Sequence, residues 1–407
     1  MSINIQIKEA APRQGNSDQI RVARNKSSAA GWMSRTMAIV LVAVLAGCAT
    51  TAAPPKETRL AWPEPPEQAR IEFVRAISSD EDLNKDTTAT ASILKFLEGE
   101  KPSINRIVEP MGLAVSDDGN RLYVSDHSQL AVFVFDFAKK TLLKIGGADK
   151  PLAAPMGIAL DAQENIYVVE QVKKGVTVFN REGKELRFIT DASISRPTGV
   201  AVDRARNKVY ISDTSHSKNE EHAVKIFDLE GKLLGQLGKG KGDGPNSFLF
   251  PTYVAVDAKS NVYVADTLNS RVEMFDADGK FVQQYGKRGN AWGMFDKPKG
   301  VALDSFGNLY AVDSGWSNAQ IFNAKGQVML FFGGRGTYPG LMQNPSAVAI
   351  DKQNRIYVGD LLNHRVNVYQ LVNTTAADSL PPADSGAKNA TVKGSPVPKP
   401  EEVTNKK

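Results

Sequence analysis

The 407-residue chain has little that could cross-link it or let it span a bilayer. It has one cysteine, Cys48, so no intramolecular disulfide can form and thiolate metal clusters are excluded. Its longest apolar run, Met37–Ala46 (MAIVLVAVLA), would rise only about 15 Å as a helix, half of a bilayer core. Charge imbalance is also scarce where a fold would use it. Residues 1–47 hold six Lys/Arg and two Asp/Glu, which leaves 44 basic and 43 acidic residues in the remainder. A near-neutral body lacks the basic face that nucleic-acid binding requires.

What is present begins with delivery. Arg35 precedes the apolar run and Gly47-Cys48 follows it, the layout of a secretory signal. Leu45-Ala46-Gly47-Cys48 resembles a bacterial lipobox. The resemblance implies cleavage before Cys48, lipidation of that cysteine, and a protein tethered to the envelope on the periplasmic side without spanning the membrane. Asp after the cysteine marks inner-membrane retention in such lipoproteins; Ala49 stands there, so the resemblance implies the outer membrane in preference to the inner. Residues 1–47 are then the signal peptide, and a start at Met33 would give that leader ordinary proportions. Residues 48–68, small, polar and proline-rich, suit a flexible tether, and the tail 372–407, without aromatics, is expected to be disordered.

Between tether and tail one sentence is spoken six times. Prolines 110, 155, 197, 251, 298 and 345 are spaced 45, 42, 54, 47 and 47 residues apart, about one four-stranded propeller blade each. Strand a reads MGLAV, MGIAL, TGVAV, TYVAV, KGVAL and SAVAI; strand b centres on Tyr123, Tyr167, Tyr210, Tyr263, Tyr310 and Tyr357. Strand c reads from VFVFD to VNVYQ, and strand d occurs in five copies. The sixth copy stops at Leu371 without one, whereas residues 69–77 (ARIEFVRAI) alternate as an orphan strand. The expectation is an all-β, six-bladed β-propeller over 69–371, closed by strand 69–77, with a short amphipathic helix at about 91–99. The repeat resembles the NHL repeat. Asp266, Asn269 and Arg271 in repeat 4, and Asp360, Asn363 and Arg365 in repeat 6, match its Asp-x-x-Asn-x-Arg portion. With the lipobox, the chain resembles bacterial NHL-repeat lipoproteins, which implies a monomeric propeller.

Candidate sites concentrate on one rim. The carboxylates after strand b (Asp126, Glu170, Asp213, Asp266, Asp313, Asp360) recur in every copy, which points to turn chemistry; no catalytic residue is assigned. In a propeller the b–c and d–a connections emerge together, so the glycine-rich linkers 238–248, 286–295 and 333–342 share a face with the histidines. His127, His216, His222 and His364 are the candidate ligands for a divalent metal such as Zn or Ca, with ordinary loop histidines as the alternative; no other cofactor is expected. Six-bladed amidating lyases carry zinc histidines, some of them directly after the strand-a proline. Met111, Met156, Thr198, Thr252, Lys299 and Ser346 stand at those positions here, so none maps. Likeness to gluconolactonase-type propellers extends to the fold only. The expected ligand face combines those six positions with Arg271, Arg365, Trp292 and Trp316. It suits a protein, peptide or glycan of the cell envelope, with no nucleic acid. The rival reading is a metal-dependent hydrolase or lyase.

Overall fold

The computed structural model describes residues 60–84, 105–215 and 222–379. Six antiparallel sheets follow one another, and their first strands neighbour each other in order, the sixth returning to the first. These innermost strands are Pro110–Val115, Pro155–Leu160, Pro197–Asp203, Pro251–Val256, Pro298–Leu303 and Pro345–Ile350. The protein is a six-bladed β-propeller.

The apolar strands have one reason each to be apolar: a blade is covered on both faces. Six clusters of buried side chains fill the six gaps between neighbouring blades. Tyr123, Tyr167, Tyr310 and Tyr357, the strand-b tyrosines, are fully buried within them. Strand-b burial is complete in the second, fourth and fifth blades, while the outermost strand of the second alternates toward water. Glycine in the inner strands serves close approach. A Cβ at Gly157 would lie 2.8 Å from the Gly199 Cα, and one at Gly300 2.6 Å from the Ala347 Cα, so neighbouring blades could not close on a larger residue.

Closure uses both ends of the described chain. Strand β2 (Ile71–Ile77) pairs antiparallel with Arg365–Leu371, taking the outer place in the sixth blade. The sheet does not stop at four strands. A short strand β1 (Ala61–Trp62) adds to β2, and Trp62 is buried against Phe332 and Tyr369 at centroid distances of 6.1 and 5.8 Å. Burying such a ring contributes roughly 1.5–3 kcal/mol, so the segment is pinned as well as paired. A 3-10 turn at Asp80–Asn84 follows, its Asp82 carboxylate accepting the Ser78 and Ser79 amides. The helix expected at about 91–99 lies outside the described residues, as do the signal peptide, Cys48 and most of the tail.

Candidate functional site on the entry face

Because strands a to d alternate in direction, every b–c and d–a connection emerges where strand a begins, the entry face. The a–b and c–d turns emerge opposite, on the far face. The strand-b carboxylates are absorbed at the entry face as latches. Asp126 accepts the Val108 and Glu109 amides, Asp213 those of Ser195 and Arg196, and Asp313 those of Asp296 and Lys297. Glu170, Asp266 and Asp360 accept from Ala153, Leu249 and Gln343. Each thus holds the chain as it enters the inner strand of its own blade. All six are buried, and such multiply hydrogen-bonded carboxylates are structural.

Arg271 and Arg365 are corrected by the structure: neither is a rim residue. Only 5% and 8% exposed, they are tied through Nε to Asp266 (3.0 Å) and Asp360 (3.2 Å). Their remaining nitrogens donate to loop carbonyls. Arg271 reaches Asp243, Gly244 and Ser247, and Arg365 reaches Thr337, Tyr338 and Leu341. Asn269 and Asn363 add bonds to Gly242 and Gly336. The Asn-x-Arg pair is therefore a clamp on the glycine-rich linker. The fifth blade has no Arg in this place; Gln320 holds the linker through Gly293 N–H and Met294 O.

Beside Arg271 sits a second buried carboxylate, Glu273, where the sixth blade has Asn367 and the fifth Gln320. Glu273 Oε1 pairs with Arg271 at 3.1 Å, while Oε2 is buried without a hydrogen-bond partner among the described residues. Burial pushes Glu273 up to about 7 and Asp266 to about 6, with Arg271 opposing both.

The second-position ring divides. Thr198 and Ser346 are buried and turn their hydroxyls into blade junctions, toward Pro251 O and Pro110 O, so they too leave the expected ligand face. Thr252 is half-committed, paired with the Thr267 hydroxyl at 2.5 Å. Met111, Met156 and Lys299 stay partly exposed at the mouth. Tyr253, one position further in the fourth blade, was not singled out from sequence. Its hydroxyl donates to the Met111 carbonyl of the opposite blade, and its ring packs against two of the inter-blade clusters, so it lies across the centre of the ring. The signal was available: the other five copies carry Gly112, Gly157, Gly199, Gly300 and Ala347 there.

The histidines do not assemble. His222 is buried, its Nδ1 accepting the Phe250 amide at 2.8 Å and its ring edge-on to Phe250. His364 is exposed, in a left-handed conformation with φ 55°, and contacts Val108 O. His127 meets the same connection through a backbone bond to Glu109 O. His216 lies outside the described residues. Among the described residues no group of three or more His, Cys, Asp or Glu side chains is placed to hold a metal ion. The six strand-b carboxylates of this face spend their oxygens on backbone amides.

Exposed apolar surface is distributed unevenly. Leu130, Val172, Leu268, Trp292, Trp316, Tyr338 and Leu362 all lie on entry-face connections; the other exposed large apolar side chains lie on strands. None of them lies in a far-face turn among the described residues. Trp292 is 51% and Trp316 43% exposed, yet both are anchored. Trp292 packs edge-on to Phe331 at 4.7 Å, and Trp316 Nε1 donates to Gly289 O at 3.0 Å. Exposed Arg288 and Arg335 reach the Leu268 and Gly315 carbonyls, tying linker to b–c loop.

Comparison with known proteins agrees with the architecture. A family model described as the SMP-30/gluconolactonase/LRE-like region matches residues 80–216. The Drosophila melanogaster protein brain tumor is 26% identical over 148 residues, 35% of this chain. That match spans only 13% of the fly protein. A gluconolactonase from Xanthomonas campestris superimposes with a TM-score of 0.52 at 16% identity, covering 74% of this chain and 98% of that one. An auxiliary nutrient binding protein from Bacteroides thetaiotaomicron gives 0.51 at 14% identity, covering 64% and 68%. At these identities the likeness to the solved structures is one of fold.

Proposed function

We propose that the protein is a binding module whose entry face holds a protein or peptide segment, or a glycan, of the bacterial cell envelope. The observation that carries this reading is the one-sided distribution of exposed aromatic and aliphatic side chains, with Lys287, Arg288 and Arg335 exposed among them. Rigid, anchored aromatics with nearby guanidinium groups are the usual composition of interface hot spots. The lipobox-like Leu45–Cys48 supports attachment through lipid on Cys48, facing the periplasm and favouring the outer membrane. Mass spectrometry of the mature protein checks that half of the reading: acyl chains on an N-terminal Cys48 are expected, and an unmodified residue there rejects it.

The binding half is tested with a photo-reactive amino acid at position 292 on the entry face or at position 259 on the far face. A discrete cross-linked species from 292 and none from 259 is expected. Equal labelling from both positions rejects a face-specific module. The hydrolase or lyase alternative lacks support at the mouth, where Tyr253 fills the centre and the carboxylates are engaged by amides.

A further inference from the structure

We propose that the mouth of the central channel is an anion site, in which Lys299 receives a carboxylate group of the bound polypeptide. This rests on the reading of the entry face as the binding face, and it names the chemistry of what is bound.

At the second position of the inner strands five blades place neutral side chains and the fifth blade alone places a cation. Lys299 is partly buried, and its hydrogen bond is to a neutral acceptor, Asn344 Oδ1, at 3.3 Å. It forms no ion pair with a carboxylate among the described residues, and another cation, Lys297, stands two positions away. Burial and that like charge hold its ammonium below the usual lysine range. A buried ammonium without a counter-ion is costly, and a carboxylate brought from outside offsets that cost.

Two carboxylates, one on the same blade and one on the following blade, are unavailable for the purpose. Asp313, paired in register with Pro298, accepts amides from Asp296, Lys297, Gly315 and Trp316. Asp360 is held by Gln343 N–H and Arg365. The mouth has a floor as well as a charge. Tyr253 crosses the ring with its hydroxyl committed to Met111 O, so an occupant ends at the mouth and does not thread through. Partly exposed Met111 and Met156 supply apolar walls. A short charged end fits this shape: a chain-terminal carboxylate or an Asp or Glu side chain.

The test uses three small probes on the full chain: acetylglycine for a chain terminus, acetyl-aspartate amide for a side chain, and neutral acetylglycinamide. The readout is the Lys299 Cε resonance, identified by its loss in Lys299→Met. Methionine already occupies the equivalent positions 111 and 156, so that variant keeps a side chain the ring accommodates. At least one carboxylate probe is expected to shift the resonance and raise the Lys299 pKa, while acetylglycinamide leaves it unmoved. The stronger of the two carboxylates identifies the source. Affinity for that probe should fall about tenfold or more in Lys299→Met, the usual loss for one charge-assisted hydrogen bond. The proposal is overturned if no carboxylate moves Lys299, if the neutral amide moves it equally, or if Lys299→Met binds as well as the parent. If those results come while Trp292 and Tyr338 variants still lose the partner, only the anion site falls. If the rim variants keep full capture, the underlying reading falls.

Discussion

The two faces of the ring solve the same problem with different chemistry. On the far face each a–b connection is a tight turn closed by its own aspartate. Asp257 accepts the Lys259 and Asn261 amides, the Asn261 side chain and the Tyr263 hydroxyl; Asp304 repeats the set with Phe306, Asn308 and Tyr310. Such turns leave no apolar tip in water. On the entry face the d–a linkers are longer, differ from blade to blade, and in the last three blades are held from below by buried Arg271, Arg365 and Gln320. Anchoring from beneath is what allows Trp292, Trp316 and Tyr338 to stay exposed without the backbone becoming loose. The comparison teaches that repetition serves the fold and variation serves contact.

The difference can be broken most severely at the clamps. Arg365→Met leaves Asp360 without its cation and the Thr337 carbonyl without a donor, while the Tyr338 and Leu341 carbonyls keep only the Leu341 amide and the Asn367 side chain. Removing one partner of a buried pair typically costs about 3–5 kcal/mol. Urea unfolding should show a loss of that size, together with faster amide exchange in the linker; unchanged exchange there would mean the clamp is idle.

Glu273→Gln is expected to act in the opposite direction, and only at higher pH. Burial pushes Glu273 up to about 7 in the folded protein, against 4.5 for a free glutamate side chain. Between those values the folded protein keeps a proton that the unfolded chain has lost, so stability falls as pH rises from 4.5 and levels off above 7. Replacing the acid by Gln, which the fifth blade already carries as Gln320, removes that penalty. A gain on the order of 2 kcal/mol at pH 8 and none at pH 4 is expected in denaturant titrations. A gain of equal size at both pH values would contradict the burial of this carboxylate as its cause.

Asp304→Ala on the far face strips a turn of its hydrogen bonds and should cost about 1–3 kcal/mol. Binding measured on the folded variant should not change, since nothing on that face is assigned to contact. The smallest effect on stability belongs to Trp292→Ala with Tyr338→Ala, expected at about 0.5–1.5 kcal/mol, since Tyr338 is 71% exposed and Trp292 gives up chiefly its edge-on contact with Phe331.

The fold was legible because it is written in repeats. Proline spacing, the strand-b tyrosines and the orphan strand before the first blade together specify six blades and their closure. The site was less legible, and for a physical reason. Arg271 and Arg365 stand in loops by spacing, but burial depends on the linker arriving from the preceding blade, more than twenty residues earlier in the chain. Thr198 and Ser346 share a sequence position with Lys299, yet a short hydroxyl side chain reaches the neighbouring blade's carbonyl while a lysine extends toward Asn344. Tyr253 broke the glycine pattern visibly, but its hydrogen-bond partner, Met111, lies 142 residues away.

The central claim is that contact belongs to the entry face. It is tested most directly by measuring partner capture by Trp292→Ala/Tyr338→Ala beside a far-face control, Lys259→Ala/Lys352→Ala, with matched unfolding midpoints. Loss of capture by the first pair and full capture by the second is the predicted result; equal capture by both pairs would contradict it.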